Sequence, residues 1–451
     1  MAMTLSDFPQ PPGNNGRGLH GPAHNQRFND PWDRWISELQ QMNIKWMKLL
    51  DDAGSNADFS KELLNNGIMP IVRFYIDAPN PGRFVDDHRV DWPATLARYV
   101  ANGARYFEIN NEPNLGDEWH TPYPANAPEI VMDNWIQDAE LVISMGGLPA
   151  FPALTQTSNP SFHSVNWYRR AFAYLQTKYP DRAQNVFSNG AWIAVHAALL
   201  NHPVDYPYDA VNQRDHPGAT IFDDDNCLLG YRVPLELLKE TFGLTVPVIS
   251  TEGGVFAPGE SGQTQWDSRY PPITKLSHAV NTVGLFQWMM DQAPAEFFGI
   301  CSWLIFSGTP QFEYDSWFRV RETLPVVQEI KRMKSYTKKS PAAQSIPLPT
   351  SPISPTSPTT PTTPPPVTPA TPANAAAIAR AFALSMLNIT VNPDAALYRK
   401  AKELNFGRPV TNEIYGVIVS GARYVVQGFD KGVLYVKEGD WGNVQQTPWL
   451  G

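Results

Sequence analysis

A chain of 451 residues is too long for one average domain, although a single α/β barrel can absorb much of it, and 42% hydrophobic residues supply a large core. A formal net charge of -9 with no polybasic face argues against nucleic acid or anionic membrane as the main partner. Two cysteines, Cys227 and Cys301, form neither a disulfide framework nor a metal cluster, and Cys301 lies in an apolar run that suits a buried free thiol.

The first ten residues show no basic segment followed by an apolar one, so no signal peptide is visible. No run reaches the roughly 18 apolar residues of a membrane span. From there apolar, strand-like runs alternate with helical patterns. The strands are Arg17–His20, Ile44–Asp51, Met69–Ile76, Arg105–Asn110, Leu148–Leu154, Ala191–His196, Val246–Thr251 and Phe297–Phe306. The helices between them are Pro31–Met42, Phe59–Asn66, Trp92–Asn102, Ala127–Met145, Val165–Lys178, Val233–Phe242 and Ile273–Asp291, with Arg321–Lys334 after the last strand. Strands each followed by a helix predict a closed (β/α)8 barrel over residues 1–337.

Residues 338–374 are dominated by Pro, Thr and Ser, a composition that buries no apolar surface and acts as a semi-rigid spacer. Residues 375–451 then form a small α+β module: an Ala-rich helix over 375–389 and a hairpin turning at Asp430-Lys431-Gly432. A spacer of this kind commonly joins catalytic and accessory modules in secreted enzymes, so a location outside the cytoplasm is expected.

Two strings carry the chemistry. In Phe107-Glu108-Ile109-Asn110-Asn111-Glu112-Pro113 and in Val248-Ile249-Ser250-Thr251-Glu252-Gly253-Gly254, a β-prone run ends at a carboxylate followed by residues that cannot continue the strand. Glu112 follows strand four and Glu252 strand seven, at the barrel face where active sites assemble. Such a pair is what acid/base and nucleophilic cleavage of a glycosidic bond requires. Asn111 can hold a sugar hydroxyl, and the two glycines leave room for a ligand beside Glu252. Arg73, amid apolar strand residues, is costly to bury unpaired, and serves either the site or a structural ion pair.

On these motifs, residues 15–335 resemble the clan A (β/α)8 glycoside hydrolases, nearest in flavour to families 5 and 39. The resemblance implies Glu112 as general acid/base, Glu252 as nucleophile, and a retaining double displacement with the carboxyl groups about 5–5.5 Å apart. It also implies Arg73 as support for the nucleophile and Trp303 as the indole under the sugar. His20 and His196 are candidate hydroxyl or nucleophile contacts. His196 is followed by Ala197 and Ala198, where family 5 has a tyrosine two residues on.

Trp119 and Tyr123, Trp266 and Tyr270, and Trp317 fall in long strand-to-helix loops and are expected to form stacking subsites for an oligo- or polysaccharide, or else to pack the loops on themselves. Asp223-Asp224-Asp225-Asn226 lacks the alternating spacing of a calcium loop and reads as a solvated acidic turn. Asp51, Asp52 and Asp77 at strand ends touch sugar hydroxyls or cap the following helices. His20 and His24 are not a first-strand His-x-His, and strand five carries no carboxylate, so neither metal nor cofactor is expected. Leu404-Asn405-Phe406-Gly407-Arg408-Pro409-Val410 is similar to short repeats of bacterial cell-wall-associated proteins, which implies attachment to a wall or glycan, or else a spacer or oligomerisation domain. A transglycosylase with the same residues and a non-catalytic carbohydrate-binding barrel are the alternatives to hydrolysis of a β-linked glycan.

Overall fold

The computed structural model describes residues 2–22, 32–76, 81–157, 159–307, 309–339, 392–409, 413–419 and 422–447. The chain divides into two compact units, Met1–Ala343 and Gln344–Gly451. The spacer, the helix expected over 375–389, His24 and Asp77 lie outside the described residues.

The first unit is a closed barrel of eight parallel strands. They are β1 (Arg17–His20), β2 (Trp46–Asp51), β3 (Met69–Phe74), β4 (Tyr106–Glu108), β5 (Leu148–Phe151), β6 (Trp192–Val195), β7 (Val248–Ser250) and β8 (Phe297–Ser302). Each pairs with its neighbours in chain order, and Gly18 opposite Cys301 closes β1 onto β8. Around them lie α1 (Trp32–Gln41), α2 (Ala57–Asn65), α3 (Trp92–Ala101), α4 (Ala127–Ser144), α5 (Ser164–Lys178), α6 (Pro180–Ser188), α7 (Ala210–Asp215), α8 (Arg232–Phe242), α9 (Lys275–Asp291) and α10 (Pro325–Arg332).

The ladders stop short of the apolar runs that announced them. Past Ser302 the apolar residues continue, but Phe306 leaves the sheet to stack on Trp35 with ring centroids 4.5 Å apart. Helices α6 and α7 were not anticipated. Pro180 starts α6 after a single intervening residue, Tyr179, which ends α5 and precedes α6. Local chemistry sets the helix ends: Asp91 caps α3 at Ala94 N (3.0 Å), Asp209 caps α7, and Gly243 closes α8 in the left-handed conformation.

The lower half of the barrel is apolar and aromatic. Trp46, Met69, Ile71, Tyr106, Trp192, Ala194 and Phe298 form one buried cluster, covered from below by Phe8. Its polar atoms are satisfied locally: Trp46 Nε1 donates to Asn14 Oδ1 (2.9 Å), Trp192 Nε1 to Leu148 O (2.9 Å) and Tyr106 OH to Pro9 O (2.7 Å).

The second unit is an antiparallel sheet of β9 (Ile414–Val419), β10 (Ala422–Phe429), β11 (Gly432–Lys437) and β12 (Gln445–Thr447), paired in chain order. The anticipated hairpin pairs Phe429 with Gly432. Helix α11 (Ala396–Glu403) packs Leu397 and Ala401 against Val425, Phe429, Leu434 and Val436.

No described helix is long and apolar enough to cross a membrane. Both cysteines are buried and free.

Candidate active site

Side chains alternate across a strand, so residues two apart point the same way. From the apolar cluster this rule climbs β2 from Trp46 to Lys48, β3 from Met69 and Ile71 to Arg73, β4 from Tyr106 to Glu108, and β6 from Trp192 and Ala194 towards His196. At the C-terminal end of the barrel the inward residues become charged.

Glu252 stands two residues past β7. Its Oε1 lies 3.1 Å from Lys48 Nζ, 3.3 Å from Arg73 Nη1, 3.4 Å from His20 Nε2 and 3.8 Å from His196 Nε2. Burial pushes its pKa up, but the Lys48 charge, followed by His196 and His20, overrides that and holds the carboxyl well below its ordinary range. Lys48 is fully buried, and its Nζ also lies 2.9 Å from Glu108 Oε2. Glu108 is itself fully buried and accepts from Thr251 Oγ1 (3.1 Å). Against the same burial, Lys48 and then His196 hold Glu108 down at about 2.

Glu112 is reached through a sharp bend. Asn110 and Glu112 both take positive φ, 63° and 39°, uncommon for residues other than glycine and concentrated at functional sites. The bend is fixed by Glu112 N donating to Ala153 O (3.0 Å). Glu112 Oε1 then lies 2.7 Å from His196 Nδ1. One imidazole therefore faces both glutamates, with Nδ1 on Glu112 and Nε2 towards Glu252 and Glu108, each at 3.8 Å. Burial lowers the pKa of His196, yet Glu252, Glu108 and Glu112 together raise it to about 9, so it is a cation at neutral pH.

Asn111 is clamped from both ends of its amide. Its Oδ1 accepts from Arg73, and its Nδ2 donates to Glu118 Oε1 (2.8 Å). His20 Nδ1 lies 2.7 Å from Gly21 O, a carbonyl that can only accept, so Nδ1 carries a proton there, while Nε2 faces Glu252. Burial lowers the His20 pKa against the pull of Glu252. Trp303, half-buried, lies against His20 with ring centroids 4.5 Å apart.

The glycines after Glu252 are obligatory. A Cβ on Gly253 (φ +113°) would sit 2.2 Å from Ala197 O, and one on Gly254 (φ +72°) 2.6 Å from Ser302 Oγ. This tight approach lets Ala198 bridge to Gly254, joining the loops after β6 and β7.

Glu112, Glu252, Asn111, Arg73, His196, His20 and Trp303 thus meet at one place. Trp119 does not present a face there: it is buried, and its Nε1 donates to Pro113 O (3.0 Å), propping the loop that carries Glu112. Tyr270 and Trp317 are buried too, so these three aromatics pack their loops and form no stacking surface. Trp266 remains exposed, on the loop after β7. Asp51 accepts from Gly54 N (2.7 Å) and Asn56 N (2.8 Å), a turn-building role rather than a sugar contact. The acidic turn is not solvated at Asp225, which is buried, accepts from Ser164 Oγ (2.6 Å), and is pushed by burial up to about 7. Among the described residues no group of His, Cys, Asp or Glu could hold a metal ion.

Lys48 and Glu108 escaped the sequence reading. The signal for Lys48 was present, because it interrupts Trp46-Met47-Leu49-Leu50 as Arg73 interrupts its own strand. Glu108 lay inside the quoted motif, two residues above Tyr106 on the inward side.

No family model matches the chain, and no curated protein matches it. Among solved structures, a monomeric β-xylosidase from Caulobacter crescentus CB15 matches with a TM-score of 0.44 and 11% identity over 72% of this chain and 69% of its own. A family 51 α-L-arabinofuranosidase, AbfB from Bifidobacterium longum, matches at 0.40 and 12% over 66% and 68% of the two chains. The endoglucanase Cel5A from Pseudomonas stutzeri matches at 0.37 and 11% over 72% and 99%. These likenesses are to barrels of the same fold. A D-psicose 3-epimerase from Clostridium cellulolyticum H10 matches comparably, at 0.36 and 9% over 69% and 96%, so likeness at this level is that of the barrel and not of its chemistry.

Proposed function

We propose that the protein is a retaining glycoside hydrolase acting on a β-linked oligo- or polysaccharide. The observation that carries this is His196, one imidazole facing both strand-end glutamates across the mouth of the barrel. Glu252, kept ionised by Lys48, attacks the anomeric carbon and forms a glycosyl ester. The departing oxygen takes its proton from Glu112, which lies 2.7 Å from His196 Nδ1. Water then gives a proton back to Glu112 as it attacks the ester. Esterification removes the charge of Glu252, and Glu108 still neutralises the buried Lys48 at that moment. In this reading His20 and the Trp303 ring, beside Glu252, hold the sugar undergoing attack, and Asn111 offers it the second hydrogen of Nδ2.

The test is Glu252→Ala on β-aryl glycosides. Turnover falls by roughly 10^4-fold or more, and azide restores it as an α-glycosyl azide seen by NMR. A first-formed product of inverted anomeric configuration from the unaltered enzyme would overturn the mechanism, and products longer than the substrate would assign the same site to transglycosylation.

A further inference from the structure

The loops that follow β6 and β7 enclose an open cavity of about 470 Å³, lined by Leu200, His202, Tyr206, Trp266, Asp267 and Arg269 among others. That is within the size range of small-molecule sites, roughly 300–1,000 Å³. It begins just beyond the point where Leu199 N donates to Gly254 O (2.8 Å), two residues after Glu252. The cavity therefore opens on the rim of the same barrel face as the candidate active site.

Its walls are held in place. The His202 ring stacks on Tyr206 at 3.7 Å, and Asn201 Nδ2 ties the loops by donating to Asp267 O (2.7 Å). Arg269 forks onto the Asp267 carboxylate (3.0 and 2.6 Å) and donates to Asn212 Oδ1 (2.8 Å). Trp266 is different in kind: Phe256 lies beside it with ring centroids 5.9 Å apart, and 43% of it is exposed, where Trp119 and Trp317 are buried.

We propose that this cavity binds a neutral sugar unit of the glycan, away from the bond that is cleaved, with Trp266 as its stacking face. The exposed indole suits the apolar C–H face of a pyranose, and the fixed polar rim suits its hydroxyls. An acidic sugar is disfavoured by the charges: Asp224 and Asp267 both line the cavity, and the charge of Arg269 is matched by Asp267, leaving only the imidazoles of His202 and His216 as further basic groups there. The proposal rests on the glycosidase assignment above.

The test compares Trp266→Ala with the unaltered protein on aryl monosaccharide glycosides and on neutral β-linked gluco-, xylo- and manno-hexasaccharides. Calorimetry of Glu252→Gln, with and without Trp266→Ala, measures binding of the same hexasaccharides directly. The loss in kcat/KM on the responsive hexasaccharide exceeds that on the aryl glycoside by about tenfold, through KM, and its Kd weakens about tenfold. Equal losses on long and short substrates, no loss on either, or tighter binding of an oligouronate would overturn the site. Normal turnover with binding indifferent to Trp266 removes the distal site alone. Binding that depends on Trp266 without turnover of any glycoside keeps the site and removes the glycosidase.

Discussion

The floor and the mouth of this barrel are built from the same strands, two residues apart, by opposite physics. Trp46, Tyr106 and Trp192 fill the floor as aromatic bulk with each polar atom satisfied nearby. Two residues up, Lys48, Arg73 and Glu108, and four up, His196, crowd charge upon charge around Glu252. The floor is stable through apolar area and needs no partner elsewhere. The mouth stays folded only while each ion keeps its counter-ion, because burying charge costs several kcal/mol per ion and excellent geometry is needed to offset it. The contrast separates what holds the barrel together from what it exists to present.

The contrast can be broken first at the chemistry. Glu112→Ala should lower rates on unactivated glycans by about 10^2- to 10^4-fold while sparing activated aryl glycosides, whose leaving groups need no proton. Equal loss on both would remove the acid/base role from Glu112.

A matched pair then sets the regions side by side. Trp46→Ala and Lys48→Met should each cost about 3–5 kcal/mol, the first by opening a cavity and the second by stranding buried carboxylates. Their pH dependence should differ. Glu108 is depressed to about 2, so its contribution is present above its unfolded pKa near 4.3 and lost as the pH falls towards 2. The deficit of Lys48→Met should accordingly be widest above about pH 4.3 and shrink towards about pH 2, with that of Trp46→Ala flat. Denaturant melts across pH decide it, and adding Glu108→Gln to Lys48→Met should recover part of the loss.

His196 gives the opposite sign. Its pKa is raised to about 9, so its contribution is full below about 6.5 and lost as the pH rises through about 9. His196→Gln should flatten that alkaline decline in Tm. The smallest effect belongs to Thr251→Val, which removes one hydrogen bond to Glu108 and should cost about 1–3 kcal/mol.

The barrel was legible because parallel strands buried on both faces read as continuous apolar runs. Glu112 and Glu252 were legible because Pro113 and Gly253 end those runs at a carboxylate. Strand ends were overextended where apolar residues such as Phe306 leave the ladder to pack against a helix. The loop aromatics misled for a related reason: Trp119, Tyr270 and Trp317 look alike in sequence whether they face solvent or their own loop, and only tertiary packing buries them. Lys48 interrupts an apolar strand in the same way as Arg73, and the same cost of burying an unpaired charge points to it.

The two glycines after Glu252 bear on anyone who would re-engineer this protein. Since a single methyl group at either place collides with backbone or side-chain oxygen, stiffening that turn by exchanging glycine for alanine trades away the aim of the carboxylate before it gains any rigidity. Libraries meant to alter selectivity should keep both glycines fixed and vary the chain from Val255 onward.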